Sequence, residues 1–190
     1  MSYFTQIVQV DDSSIHLSRL EFIKNLVRDK KVLHIGFADY PITKPKKNLH
    51  LFIASVCQRL DGIDPNIDEI NKKILTVPNG TIFDNWNVVP NDYDIILVPE
   101  VIEHVDNVAS FLQHLDNYQG MLIITAPCAY LLRNNFTKDE GTFVETVHPD
   151  HNCWYSPYTL KNVINKYSRT RQVKSMHWTS TSIVAICENK

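Results

Sequence analysis

Short apolar runs bounded by turn residues constrain the fold of this chain more than any other feature of its sequence. The run Ile95–Val98 is β-branched and continuously apolar, which predicts a strand buried on both faces. It stops at Pro99, which has no N–H to donate to a sheet ladder. Glu100 follows, and Asp106 can cap a helix predicted over Val108–Leu115. A buried strand that ends in an acid before a helix is where open α/β sheets place ligands.

Further strands and helices alternate along the chain. The predicted strands are Lys31–Gly36, Asp61–Asp64, Thr81–Phe83, Ile95–Val98, Gly120–Ala126, Val173–Trp178 and Ser182–Cys187. The predicted helices run from Asp12 or Ser13 to about Val27, over Leu49–Leu60, Ile67–Ile74 and Val108–Leu115, and from Ser156 or Pro157 to about Tyr167. Strands that alternate with helices, followed by a closing antiparallel pair, predict an α/β fold with a mostly parallel sheet covered on both faces.

Length and composition limit the class of protein. The 190 residues predict a single domain over 1–190, with an N-terminal helical appendage at 1–29 and a loop or lid at 128–157. A net charge of -2 without a long basic run argues against a nucleic-acid partner. No apolar run is as long as a membrane span and no signal peptide is recognised, so no membrane association is predicted. The four dispersed cysteines form no C-x-x-C pair and are typical of reduced thiols in a cytoplasmic protein. A monomer and a homodimer are both compatible with the sequence.

Gly36 and Asp64 form the first candidate ligand site. A strand that ends in glycine, followed by a strand that ends in an acid, is typical of nucleoside sites, where the carboxylate accepts hydrogen bonds from the ribose hydroxyls. The alternative is a structural turn glycine and a surface aspartate. A dinucleotide site requires G-x-G-x-x-G, and the chain has only five glycines, so an NAD-dependent oxidoreductase is disfavoured.

Polar residues after the third and fourth strands are the next candidates. Asp84 and Asn85 can hydrogen-bond an adenine amino group, or they can form an Asx turn. Carboxylate and imidazole groups near a cleft can act as general acids or bases. We expect Glu100 to lie near the ligand, and Glu103 and His104 to be mainly structural at a helix N-terminus.

The stretch H-P-D-H-N-C-W-Y contains the candidate catalytic groups, His148 and His151. A histidine in a loop over the sheet edge can remove a proton from a substrate hydroxyl or amine. His148, His151 and Cys153 can also be considered as a metal site. No fourth ligand is evident and the spacing fits no common zinc pattern, so no metal is predicted. The structural alternative is a lid stiffened by Pro149 and Pro157.

The ordered set of motifs resembles the class I S-adenosylmethionine-dependent methyltransferases, in particular a small bacterial branch with sugar- and quinone-type members. The matching stretches are K-V-L-H-I-G, G-I-D-P-N, Y-D-I-I-L-V-P-E-V-I-E-H-V-D-N, G-M-L-I-I-T-A-P and H-P-D-H-N-C-W-Y-S-P-Y-T-L. They run in the expected order from about Lys31 to Cys187, which covers nearly the whole chain.

The resemblance implies a three-layer Rossmann-like sandwich around a seven-stranded sheet of order 3-2-1-4-5-7-6, with strand 7 antiparallel. It implies S-adenosyl-L-methionine as the cofactor and a small-molecule methyl acceptor. The cofactor contacts that it implies are His34, Gly36, Phe37, Ala38, Asp64, Pro65, Asp84, Asn85, Pro99 and Glu100. The segment 128–155 would then form the substrate side.

The first motif departs from the family pattern. The family usually has an acid where His34 stands and two or three glycines after the strand, whereas this chain has H-I-G-F-A-D-Y-P. Phe37 and Ala38 take up space next to the ligand, and the usual acid is missing or replaced by Asp39. The leading hypothesis is methyl transfer to an oxygen or nitrogen of a small molecule. The alternative is a catalytically silent methyltransferase-like module that binds a partner.

Overall fold

The computed structural model of the protein describes residues 5–38, 47–65, 67–132, 135–139 and 141–190. These residues form nine strands: β1 (Lys31–Ile35), β2 (Arg59–Ile63), β3 (Ile82–Phe83), β4 (Ile95–Pro99), β5 (Met121–Pro127), β6 (Phe136–Asp139), β7 (Thr142–Glu145), β8 (Arg171–Trp178) and β9 (Ser182–Asn189). Seven of them form one sheet, in the order β3-β2-β1-β4-β5-β9-β8, and β6 pairs only with β7.

The predicted topology is confirmed. Strands β1 to β5 are parallel, whereas β9 is antiparallel to both β5 and β8. When the β6–β7 hairpin is left out of the numbering, the strand order is 3-2-1-4-5-7-6 with strand 7 antiparallel. The order reverses between β1 and β4, so a crevice opens at their carboxyl ends.

In the described part of the chain, five helices cover the two faces of the sheet: α1 (Arg19–Leu26), α2 (Leu49–Ile53), α3 (Glu69–Leu75), α4 (Val108–Leu115) and α5 (Pro157–Tyr167). Successive residues of β4 point to opposite faces. Ile95 and Leu97 pack with α1 and α2, whereas Ile96 and Val98 pack with α4 and α5. The central strands are therefore buried on both sides, as their continuous apolar character predicted.

The prediction that the first helix starts at Asp12 or Ser13 is wrong. The helix starts at Arg19 behind a capping box, in which the Ser18 hydroxyl accepts the Glu21 N–H and the Glu21 carboxylate accepts the Ser18 N–H. The preceding chain is held against the edge of the sheet instead. Asp11 N–H donates to Met176 O at 2.8 Å, and Trp178 N–H donates to Asp11 O at 2.9 Å. Strand-type pairing with β8 thus prevents an earlier helix start.

The predicted helix over Leu49–Leu60 is too long, because α2 ends at Ile53 and β2 already begins at Arg59. Pairing with β1 extends β2 at its start, where Arg59 lies opposite Lys31. The Asn79 amide donates to the carbonyls of Ala54 and Cys57 at 3.0 and 2.9 Å, which satisfies backbone acceptors after the short helix.

Two other regions concern the predicted site. The segment 128–157 contains the β6–β7 hairpin, which the sequence did not predict. Asp39, which was considered as a substitute for the missing acid, lies outside the described residues, as do residues 44–46 of the predicted basic loop. None of the helices in the described ranges is long and apolar enough to cross a bilayer.

Candidate functional site

A cavity of about 580 Å³ opens where β1, β2 and β4 end, at the crevice that the strand order creates. This volume is in the range of small-molecule sites. Of the predicted cofactor residues, those that line it are His34, Gly36, Phe37, Asp64, Pro65, Pro99 and Glu100. The fold therefore brings residues from separate sequence motifs to one cavity.

The loop after β1 is joined directly to the end of β2. The Asp64 carboxylate is buried and accepts the Ala38 N–H at 3.1 Å. Gly36 has a φ of +69°, which favours glycine, and a Cβ there would lie 2.3 Å from Val101 Cγ2. Phe37 is 1% exposed and packs over Gly62, where an added Cβ would lie 2.8 Å from its ring. Phe37 therefore forms a wall of the cavity without filling it, and Ala38 contributes its backbone rather than a lining surface.

His34 forms a buried pair with His50 beneath this loop. Their Nδ1 atoms are 3.3 Å apart, and the Phe37 ring lies 4.8 Å from the His50 ring. Burial lowers the pKa of His34 well below its ordinary value, and His50 and Arg19 lower it further. Burial also lowers the pKa of His50 to about 4. A neutral imidazole thus stands where the family usually has an acid.

Glu100 occupies a strained position at the end of β4. Its φ is +52°, which is unusual for a residue with a side chain. The Thr125 hydroxyl donates to its Oε1 at 2.7 Å, and its own N–H donates to Thr125 O at 3.0 Å. Neighbouring β5 therefore holds Glu100 in this conformation at the wall of the cavity.

Asp84 and Asn85 do not line the cavity, although both follow β3 as predicted. The Asp84 carboxylate is exposed and lies 3.9 Å from Lys72 Nζ. Asn85 caps a short 3-10 turn by accepting the Asn87 N–H at 2.9 Å. Their neighbour Trp86 lines the cavity instead. The predicted contact of Asp84 and Asn85 with adenine stays a prediction.

Glu103 is a buried acid behind the cavity. It is 1% exposed, and neither carboxylate oxygen has a hydrogen-bond partner among the described residues. Burial raises its pKa to about 8, and the nearby Glu100 carboxylate contributes to this rise. Glu103 is therefore mainly protonated at neutral pH.

Three histidines converge at the mouth of the cavity. His104, from the 3-10 turn after β4, joins His148 and His151 from the loop that precedes α5. His104 and His148 line the cavity, whereas His151 lies behind them and is partly buried. Burial and the two neighbouring histidines lower the pKa of His151. Cys153 is exposed and does not belong to this group.

Asn152 ties the histidine loop to the turn after β4. Its N–H donates to Glu103 O at 2.8 Å, and its side-chain amide donates to His104 O at 3.1 Å and to Asp106 Oδ1 at 3.2 Å. His104 Nδ1 lies 3.2 Å from Asp150 O. The loop and the turn therefore form one connected unit, although they are far apart in the sequence.

Sequence reasoning missed several lining residues. Arg19 reaches the cavity from the first turn of α1, and Asn48 lines it at the start of α2. The Ser18–Glu21 capping box was the available signal for Arg19, because it fixes where the helix starts. Trp86 and Phe111 had no comparable signal, since an aromatic residue next to a strand or in a helix is equally consistent with the core.

No family model matches this sequence, and no curated protein matches it. Solved structures do match its fold. A protein assigned as a type 11 methyltransferase from Sulfolobus solfataricus superposes with a TM-score of 0.61 at 12% identity, covering 92% of this chain and 93% of that one.

Two further structures have the same fold. An S-adenosylmethionine-dependent methyltransferase from Mesorhizobium loti has a TM-score of 0.56 at 9% identity, over 88% of this chain and 94% of the other. An rRNA methylase from Escherichia coli has a TM-score of 0.53 at 12% identity. The superposition covers 90% of this chain but only 61% of the methylase. The chain therefore has the fold of the class I S-adenosylmethionine-dependent methyltransferases.

Proposed function

We propose that the protein is an S-adenosylmethionine-dependent methyltransferase that acts on an oxygen or nitrogen of a small molecule. The observation that carries this proposal is the cavity at the ends of β1, β2 and β4, which brings together Asp64, His34 and Glu100 and has histidines at its mouth. Phe37 stands where the family usually has a glycine, yet the cavity stays open. This favours a working cofactor site over a catalytically silent module.

The lining residues suit the parts of this cofactor. The buried Asp64 carboxylate can accept hydrogen bonds from ribose hydroxyls, and Pro65 lies beside it. The Arg19 guanidinium can pair with the carboxylate of the methionine half, close to Pro99 and Glu100. The Trp86 indole supplies an apolar wall after β3, on the side where the resemblance places the adenine.

When bound, S-adenosylmethionine supplies a methyl group already activated by its sulfonium. The main task of the chain is then to align the acceptor with this group and to exclude water. His148 lines the mouth and can take the proton that the acceptor hydroxyl or amine loses, and His151 lies next to it. We therefore retain His148 and His151 as the proposed catalytic residues.

A small acceptor fits the charge of the chain better than a nucleic acid does. The net charge is -2, and the cavity is lined by acidic as well as basic groups. Nucleic-acid enzymes typically present a basic surface along the phosphate backbone. The similarity to an rRNA methylase concerns the shared fold and does not by itself indicate the acceptor.

Isothermal titration with S-adenosylhomocysteine tests the cofactor site. We expect saturable binding to the wild-type chain. Asp64→Ala should weaken it roughly tenfold or more, because a charged hydrogen-bond acceptor is lost. Asp64→Asn keeps an acceptor for the Ala38 N–H and separates loss of the charge from loss of the loop contact. The exposed Asp12→Ala variant serves as the control.

The result also decides between the two hypotheses. If the folded wild-type chain does not bind S-adenosylhomocysteine at millimolar concentration, the methyltransferase hypothesis is contradicted and the silent binding module is favoured. Cofactor binding should be accompanied by methylated products when S-adenosylmethionine and a small-molecule extract are incubated with the protein. Mass spectrometry detects such products as a gain of one methylene in mass.

A further inference from the structure

The three histidines at the mouth of the cavity are close enough to share a ligand. One ring nitrogen of each lies within 4.8 Å of the others. The His104 and His151 rings have centroids 4.6 Å apart, and the His148 ring lies 5.9 and 5.5 Å from these two. Three imidazole nitrogens this close can be directed at one shared ligand.

The second nitrogen of His104 has the kind of partner that a metal-bound histidine needs. A metal-bound histidine usually donates its other N–H to a carbonyl or carboxylate. His104 Nδ1 lies 3.2 Å from Asp150 O. His148 Nδ1 accepts the Asp150 N–H at 3.3 Å and lies 3.9 Å from the Asp150 carboxylate, so it would exchange the first partner for the second on binding an ion. His151 Nδ1 is buried without a hydrogen-bond partner in the described part of the chain, and such an orphaned atom calls for an explanation.

We propose that His104, His148 and His151 bind one divalent transition-metal ion such as Zn²⁺. Three imidazoles are a known ligand set for zinc, and they leave a fourth position open. Tetrahedral ligands at about 2.1 Å from the ion lie about 3.4 Å apart. The present separations of up to 4.8 Å require only small rotations of exposed or half-buried rings.

Asn152 holds the ligands from the two segments in register. It bonds both Glu103 O and His104 O, and so it fixes the loop that contains His148 and His151 against the turn that contains His104. A site assembled in this way is formed before the ion arrives, which lowers the cost of ordering the loop on binding.

This ligand set differs from the one considered in the sequence. The set His148, His151 and Cys153 lacked a further ligand and was not predicted to bind metal. The fold supplies His104, which is remote in sequence, and leaves Cys153 outside the group. The two ligand sets therefore make different predictions for variants at His104 and Cys153.

The metal would also change how the acceptor is activated. Because His104 and His148 line the cavity, the open coordination position could receive the oxygen of a hydroxyl acceptor and lower its pKa, and the hydroxyl proton would be released to solvent. The metal would then replace a free histidine as the group that makes the acceptor a better nucleophile. This second step rests on the proposed function, whereas metal binding itself does not.

Metal binding is measured with the untagged chain of 190 residues and without cofactor. Calorimetry with Zn²⁺ gives affinity and stoichiometry, and Co²⁺ reports its ligands through its visible absorption. The variants are His104→Ala and His148→Ala in the group, Cys153→Ser in the same loop, and His16→Ala as an exposed histidine elsewhere. Circular dichroism establishes that each variant is folded.

We expect one ion per chain for the wild type, for Cys153→Ser and for His16→Ala. His104→Ala and His148→Ala should each weaken binding at least about tenfold, since even outer partners of metal ligands contribute that much. His148→Ala decides the matter if His104→Ala does not fold. No binding at 100 µM metal (an order-of-magnitude ceiling for a specific site), or binding lost in Cys153→Ser and kept in His104→Ala, overturns the proposal. Metal binding without S-adenosylhomocysteine binding instead contradicts the proposed function alone.

Discussion

Two buried histidines make the stability of this protein depend on pH. His50 is fully buried, and its pKa is lowered to about 4 from an ordinary value of 6.5. The unfolded chain therefore binds a proton at His50 between about pH 6.5 and pH 4 that the folded chain does not bind. The contribution of His50 to the free energy of unfolding is fully present above pH 6.5 and is lost as the pH decreases through this range. His34, whose pKa is also lowered, adds to the same trend.

We predict that His50 accounts for a loss of about 2 kcal/mol in the free energy of unfolding between pH 7.5 and pH 5. Urea denaturation at the two pH values measures it. The glutamine in His50→Gln cannot titrate. The free energy of unfolding of this variant should therefore differ between pH 7.5 and pH 5 by about 2 kcal/mol less than that of the wild type. The exposed His16→Gln variant should behave as the wild type does. An unchanged pH dependence in His50→Gln contradicts the assignment.

At the scale of elements, Arg171 joins the end of α4 to the start of β8. Its side chain is 2% exposed, and its guanidinium donates to the carbonyls of Leu115, at 2.8 Å, and Tyr118. The Asp116 carboxylate lies 3.6 Å from Arg171 Nη1 and also accepts the Ser168 hydroxyl. A cation at a helix C-terminus compensates the unpaired carbonyls there, and burial makes this one hard to replace.

Arg171→Met should lower the free energy of unfolding by about 3 kcal/mol or more, because the carbonyls of Leu115 and Tyr118 lose their donor and the Asp116 carboxylate loses its neighbouring cation. Arg169→Met is the matched control, since Arg169 is exposed and its guanidinium bonds only Gln113 among the described residues. The control should change stability by about 0.5 kcal/mol or less. Equal losses for the two variants, measured by urea denaturation, would show that the buried contacts contribute little.

At the scale of the whole molecule, the strands and their order were predictable, and the assembly of the site was predictable only in part. The runs around Ile95–Val98 and Gly120–Ala126 have enough continuous apolar character to be recognised as central strands. Topology brings the carboxyl ends of β2 and β4 to one crevice, which is why Asp64 and Glu100, both implied as cofactor contacts by the resemblance, line the same cavity.

The remaining features depend on contacts that no local pattern encodes. Asp11, seven residues before the cap of the first helix, bonds β8, which is remote in sequence. His104 meets the histidine loop because Asn152 bonds backbone carbonyls that any residue could offer. The β6–β7 hairpin lies in a segment rich in polar residues, where strand alternation is weak. Spacing along the chain contains no information on such long-range bonds.

Ligand binding at the junction of three central strands should stabilise the entire sheet. At about 100 times its Kd, S-adenosylhomocysteine should add about 2.7 kcal/mol to the free energy of unfolding. For a chain of this length, this corresponds to a rise of roughly 5–10 °C in Tm. Differential scanning calorimetry measures the rise. NADH is the control ligand, because its binding requires the G-x-G-x-x-G motif that this chain lacks. NADH should leave Tm unchanged, and a rise in Tm with NADH but not with S-adenosylhomocysteine contradicts the proposed cofactor.

The contact between His34 and His50 also determines which hydrogen-bonding group the cavity wall presents. A hydrogen bond between the two Nδ1 atoms, 3.3 Å apart, requires a proton on one of them, so neutral rings have linked tautomers. If His34 donated this proton, His50 Nε2 would be a buried N–H without an acceptor among the described residues. Orphaned N–H groups are rarer than unsatisfied acceptors, which favours His50 as the donor. His34 then holds its own hydrogen on Nε2 and offers a neutral donor at the position where the family's acid would offer only acceptors.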